Sequence, residues 1–209
     1  LMDLKSFQGR EKERYVLDNK NPEIVFTQGY SATNTFYDQM SYFCICTFGG
    51  SEDLISLYNR FEEQQIKDLR LDAFFEVIGD EQYKMSKVGE KVYDCFVIRS
   101  AELYLNKAEA EAMLDKAEAI QTIKTLLNNR FEGGIPDIDG LSGKDLVSFI
   151  RDERRRELCF EAHRWFDLRR YAVSPKYPEK KSIRHTAYDI KGKLEGDYVL
   201  KPYGEDPAW

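Results

Sequence analysis

The chain has 209 residues, a net charge of −6 and 33% charged side chains, with aromatic residues at 13%. That length suits one large domain or two small ones. The acidic balance argues against a nucleic-acid partner, which calls for a basic footprint. No apolar run approaches the length of a membrane-spanning helix, and no signal peptide is recognisable. Neither Leu1-Met2-Asp3 nor Pro207-Ala208-Trp209 reads as a natural terminus, which predicts a piece of a longer protein.

In chain order, residues 1–20 are charged, and Glu11–Arg14 would close a helix ahead of Pro22. Glu23–Tyr30 carries a β-type apolar run and predicts a short strand. Residues 31–50 carry Ser, Thr, Asn and two Gly among aromatics, which predicts a long ordered loop, and residues 26–48 hold seven aromatics in 23 positions. Ser51 predicts the cap of a helix reaching Phe61, with Glu52 and Asp53 at its positive end. Asp68–Ile78 predicts a strand, and residues 79–94 a loop or hairpin.

The pattern changes near Phe96. Ile98, Ala101, Leu105, Ala108 and Ala112 recur at helical steps and predict an Ala-rich face for close packing. Asp115 and Glu118 predict a capping box for a second helix lined by Ile120, Ile123, Leu126 and Leu127. Gly133-Gly134 offers its stop. Ser142 and Asp145 predict a third helix running to about Tyr171, roughly 45 Å at 1.5 Å per residue. Leu158, Ala162, Trp165 and Phe166 are its second apolar patch, with Trp165 and Phe166 expected in the core. The tail, 173–209, reads as extended. No second copy of the helical hairpin occurs, so a repeat architecture does not follow from this chain alone.

Four cysteines, Cys44, Cys46, Cys95 and Cys159, lack C-x-x-C or zinc spacing and read as small buried hydrophobes. His163 and His185 stand alone. No nucleophile elbow, phosphate loop or H-E-x-x-H pattern is present, and no catalytic, metal or cofactor residue is assigned.

Residues 151–171 hold seven Arg and five acids. Helical spacing sets Asp152 beside Arg155 and Arg156, Glu153 beside Arg156, and Glu161 beside Arg164. Exposed pairs of this kind are worth only about 0.2–0.5 kcal/mol each. So much arginine instead predicts a clamp, in which forked guanidinium groups of the helix tie down non-helical segments.

The run R-D-E-R-R-R-E-L-C-F-E-A-H-R-W-F-D-L-R-R, from Arg151, closely resembles the signature of the SusD/RagB family. R-S-A-E-L-Y-L-N-K-A-E-A-E-A at Arg99–Ala112 resembles a second family helix, and D-L-R-L-D at Asp68–Asp72 a third segment, all in the family's order. Tyr198–Trp209 resembles the lead-in to the family's closing segment without its usual Pro-Ile-Pro continuation. Residues 1–59 match weakly.

This resemblance implies a mainly α, tetratricopeptide-like helical fold with long loops and a few short strands, of which the chain holds the C-terminal portion. Within it, 1–95 is loop-rich and aromatic, 96–172 is the helical signature region and 173–209 is the tail. The resemblance also implies a non-catalytic outer-membrane surface protein that passes oligosaccharides, or sometimes peptides, to a SusC-like TonB-dependent transporter. Anchoring would be through an N-terminal lipid that has no counterpart in this chain. Arg99, Glu102, Tyr104, Arg151, Arg154, Glu157, Trp165, Asp167 and Arg169 match the signature and are expected to hold the fold.

Sugar recognition needs aromatic faces for the apolar side of a pyranose and polar partners for its hydroxyls. The candidate ligand residues are therefore Tyr30, Phe36, Tyr37 and Tyr42 as stacking rings, with Asn34, Asp38 and Gln39 as hydrogen-bonding partners. The alternatives are a helical protein–protein scaffold without a small ligand and a glycoside hydrolase, for which no distinctive carboxylate pair stands out.

Overall fold

The computed structural model describes residues 1–7, 15–18, 20–29, 49–78, 82–87, 94–188 and 194–200. The expected helix end at Glu11–Arg14, the cysteines Cys44 and Cys46, and all seven candidate ligand residues lie outside them. The chain divides into two compact units, Leu1–Glu161 and Ala162–Trp209.

Helices dominate the first unit. They are α1 (Glu52–Tyr58), α2 (Arg70–Phe74), α3 (Ser100–Met113), α4 (Glu118–Leu127) and α5 (Gly143–Glu157). Short 3₁₀ turns cover Leu4–Ser6 and Asn59–Gln64. Among the described residues, strands β1 (Ile24–Gly29), β2 (Lys67–Asp68), β3 (Phe75–Ile78), β4 (Gln82–Met85), β5 (Asp94–Arg99) and β6 (Phe131–Glu132) pair in twos, as β1–β5, β2–β6 and β3–β4, all antiparallel. The second unit holds α6 (Arg164–Ala172) and the antiparallel hairpin β7–β8 (Ile183–Tyr188, Leu194–Leu200), so the tail is folded back on itself.

Packing follows small side chains. Ala101, Leu105, Ala108 and Ala112 are buried along α3 and face Ala119, Ile123, Leu126 and Leu127 of α4 and Leu146, Val147 and Ile150 of α5. Three alanines at this spacing let the helix axes approach closely. On the edge of the α3–α4 contact, Lys107 Nζ donates to Thr122 Oγ1 at 2.6 Å, and that hydroxyl donates to Glu111 at 2.6 Å. A second cluster gathers Leu4, Val16, Leu17, Leu54, Ile55, Tyr58, Phe74, Phe75 and Cys159. Phe75 sits at its centre, edge-on to Tyr58, Tyr83 and Phe160.

Several sequence expectations need correction. Ser51 does cap α1 through Leu54 N, but the α-helix ends at Tyr58 and tightens into a 3₁₀ turn before Gln65 adopts a left-handed conformation. Asp68–Ile78 is not one strand. The Asp68 carboxylate accepts the Arg70 amide at 3.0 Å, which turns the chain into α2 before β3 begins. Asp115 and Glu118 form no capping box. Leu114 and Lys116 amides close α3 onto Ala110 and Glu111, Asp115 takes the left-handed position, and α4 starts after Ala117 without a side-chain cap. Ser142 precedes α5, yet its carbonyl and not its hydroxyl receives the Asp145 and Leu146 amides. Ile98 lies on β5, outside the Ala-rich face.

The largest difference concerns the third helix, which is broken. α5 stops at Glu157 and α6 starts at Arg164, with Phe160 and Ala162 at positive φ between them. Trp165 and Phe166 are 41% and 65% exposed and do not anchor a core.

Gly133 follows β6 at φ +81°, and a Cβ there would meet the Gln65 carbonyl oxygen at 2.3 Å. Left-handed strain and a backbone clash act together, so Gly133→Ala should cost about 2–4 kcal/mol in urea-induced unfolding. A loss below about 1 kcal/mol would mean that the turn joining β6 to its neighbour relaxes freely.

Candidate functional site

The densest chemistry among the described residues is buried. Glu153 and Glu157 lie one turn apart on α5, and both are removed from solvent. Glu161 follows at the same step of four, just beyond the helix end, with a side chain 5% exposed. Short strands deliver cations onto this row of acids. Arg70 opens α2 after β2, Lys87 follows β4, Arg99 ends β5 and Arg130 precedes β6. Each emerges where a two-stranded ladder ends, so the small sheets work as brackets that aim long side chains inward.

Glu157 is the hub. Its Oε1 accepts from Arg99 Nη1 at 2.6 Å and Arg130 Nη2 at 3.0 Å, and its Oε2 from Arg130 Nε at 2.9 Å and Arg70 Nη1 at 3.2 Å. Glu23, just ahead of β1, takes Arg130 at 2.6 Å and Arg99 at 3.1 Å. Asp68 grips Arg70 bidentately through Nε at 2.8 Å and Nη2 at 2.6 Å, the fork geometry a lysine cannot offer. Arg156 pairs with Glu153 and donates to the Leu57 carbonyl at 2.6 Å. Glu161 takes Arg99 through both oxygens, at 2.8 and 2.9 Å, and Lys87 at 2.6 Å. Aromatic faces close the set. Arg70 lies over Phe131, Lys87 over Phe74 and Arg156 over Phe61.

Five acids (Glu23, Asp68, Glu153, Glu157, Glu161) thus meet five bases (Arg70, Lys87, Arg99, Arg130, Arg156), and the buried charge sums to zero. The electrostatics reflect that balance. Burial alone would push the Glu157 carboxyl up, but Arg130, Arg99 and Arg70 hold it well below the usual carboxylate range. Glu161 suffers the same burial, yet Arg99 and Lys87 hold it at about 2. Burial and the neighbouring Arg70 bring Arg156 down to about 9, which leaves it charged at neutral pH. General acid catalysis by a carboxyl needs the opposite shift and an opening to substrate. This cluster is chemistry used to bind the protein to itself.

The signature residues divide between this cluster and its edges. Arg99 and Glu157 meet at its centre, while Arg151 reaches Glu109 at 3.2 Å and Arg154 reaches Asn106 at 2.7 Å, with Glu102 at 3.9 Å. Tyr104 is half-buried on α3. In the second unit Asp167 is buried and pairs with Arg170 at 3.1 Å, and Arg169 and Trp165 are on the exposed side. The expected direction of the clamp is therefore partly reversed. α5 supplies mainly the acids of the hub, and arginines from strand ends come to it. Asp152 reaches Arg60 at 3.1 Å, and Glu161 pairs with Arg99 and Lys87.

Sequence reasoning missed Glu23, Lys87 and Arg130, which carry no local signal. It also missed the row Glu153, Glu157, Glu161, whose spacing was readable once acids and not arginines were followed. Of the aromatic segment, residues 26–29 are described, and Phe26 is the ring among them. It is 55% exposed on β1, opposite Ile98 of β5. Among the described residues no three His, Cys, Asp or Glu gather as a metal site, and no helix is long and apolar enough to cross a membrane.

Removing one partner of a buried ion pair leaves an uncompensated charge, at about 3–5 kcal/mol. Glu157→Gln strands three arginines and should reach or exceed that loss in chemical denaturation. Acid should act through the same groups. Glu161 titrates from its ordinary 4.5 down to about 2 on folding, so its contribution is complete above pH 4.5 and is lost as pH falls through 2. Thermal melting should drop steeply across that window, and Glu161→Gln should flatten the drop.

Three comparisons bear on this architecture. Residues 69–198 match the SusD family. A SusD-like protein, P38, of Formosa agariphila is 34% identical over 113 residues, covering 50% of this chain and 21% of that protein. Two crystal structures share the fold at 19% identity each. One is a SusD-like protein from Bacteroides fragilis (TM-score 0.56, 88% of this chain, 49% of that one). The other is a SusD-like carbohydrate-binding protein from Bacteroides vulgatus (TM-score 0.54, 93% and 43%). The chain spans about a fifth of the curated relative and under half of each solved structure. With 69–198 matched, a span that contains the α5 hub and the cations of Arg70, Lys87, Arg99 and Arg130, the chain belongs to the SusD family.

Proposed function

We propose that this chain is the C-terminal portion of a non-catalytic cell-surface protein that binds oligosaccharide and passes it to a SusC-like TonB-dependent transporter in the outer membrane. Membership of the SusD family is the observation that carries this reading. It is supported by the fold shared with a SusD-like carbohydrate-binding protein from Bacteroides vulgatus. A non-catalytic role agrees with the electrostatics. Among the described residues the carboxylates displaced from their ordinary acidity, Glu111, Glu157 and Glu161, all move downward under neighbouring cations, which suits ion pairing and not proton donation.

The ligand-binding segment of this proposal is residues 26–48. Its first ring, Phe26, projects to solvent from β1. Tyr30, Phe36, Tyr37 and Tyr42 supply further faces for sugar rings, and Asn34, Asp38 and Gln39 the hydrogen bonds to hydroxyls. Stacking faces tolerate many sugars, so the class of ligand is an oligosaccharide of open identity.

The test is affinity electrophoresis and calorimetry of the full-length protein against a polysaccharide panel. A retained glycan should lose affinity roughly 3- to 10-fold in Tyr30→Ala and in Tyr37→Ala, the worth of one stacked ring. Undiminished binding in both variants would move the site elsewhere. A protein that captures the transporter and no glycan would instead be a scaffold.

A further inference from the structure

The break between α5 and α6 has no sequence cause. Leu158–His163, L-C-F-E-A-H, contains no Gly or Pro and no β-branched residue, and helical periodicity runs straight through it. Yet Phe160 (φ 60°) and Ala162 (φ 63°) occupy the left-handed region, which costs an L-residue on the order of 1–2 kcal/mol each. Something must hold the turn against the helix that the sequence favours.

In a continuous helix the amides of residues 160, 161, 162 and 163 would bond to the carbonyls of Arg156, Glu157, Leu158 and Cys159. All four carbonyls are engaged otherwise. Tyr58 Oη donates to Arg156 O at 2.7 Å. Lys87 Nζ and Arg99 Nη2 both donate to Glu157 O at 2.7 Å. The Glu161 amide takes Leu158 O at 3.2 Å, and Lys87 Nζ takes Cys159 O at 2.9 Å. Lys87 is fully buried, and the same ammonium holds the Glu161 carboxylate at 2.6 Å. One lysine therefore binds two main-chain carbonyls and a side chain of the turn it faces.

We infer that Lys87 and Glu161 form a latch that keeps residues 158–163 as a strained turn, and that without the latch these residues fold as helix. Both latch residues belong to the first compact unit, Leu1–Glu161. The latch cation comes from the end of the β3–β4 hairpin, about seventy residues upstream, so the backbone state of the turn depends on that hairpin being in place.

The test uses the charge-balanced double variant Lys87→Met/Glu161→Gln in the full-length protein. Hydrogen exchange at amides 160–163 should slow by roughly tenfold or more, with a gain and not a loss of helical signal at 222 nm. Adding Ala162→Gly to that background should reverse both, because glycine accepts the left-handed turn and weakens a helix interior. A folded double variant with unchanged exchange at 160–163 overturns the inference. If the double variant does not fold, Ala162→Gly alone decides. A Tm raised by a few degrees upholds a strained, held turn, and an unchanged or lowered Tm overturns it.

Discussion

Taking a carboxylate or a guanidinium out of water is so unfavourable that a buried ion survives only with near-complete hydrogen bonding and a counter-charge at contact distance. This protein does so ten times in one place, and the sum of the charges is zero. That constraint shapes much else. Arg70, Lys87, Arg99 and Arg130 must arrive from separate directions, and the two-residue ladders β2 and β6 are long enough to aim Arg70 and Arg130 and no longer. Glu157 must sit where a helix ends so that its own carbonyl is available to Lys87 and Arg99. The apolar core does the ordinary work of burial around α3, α4 and α5. The polar hub specifies which loops meet which helix.

Much of the helical framework was legible because its signals are local. The alanines of α3 and the leucines and isoleucines of α4 repeat at steps of three and four, and Ser51 sits one residue before a helix that it caps. Ionic partners are not local. Glu23 and Arg130 are 107 residues apart, Arg70 and Glu157 87. No window of sequence contains both members of either pair. The arginine-rich run was recognisable as unusual, but composition drew attention to its majority charge, whereas the partner that organises the hub is the minority one, Glu157. The break at Leu158–His163 was illegible for the same reason. Its cause is Lys87, which lies in another part of the chain.

Family membership gives this arrangement its biological setting, and the geometry gives it a division of labour. In the proposed function the hub is inert toward ligand. It holds strand ends, and the strands in turn present loops. β1 leads from Glu23, in the hub, through Phe26, on the surface, toward the aromatic segment.

The span of these ion pairs also bears on how the molecule assembles. Contacts such as Arg130 to the Met2 carbonyl, 128 residues away, cannot form until most of the chain has collapsed. Helices α3, α4 and α5 are close in sequence and suited to form early, while the long-range pairs of the hub must wait for that collapse. Interactions absent from the transition state govern the rate of leaving the native state, and not the rate of reaching it. The charged centre is thus a brake on unfolding, and its worth to the protein is counted in lifetime.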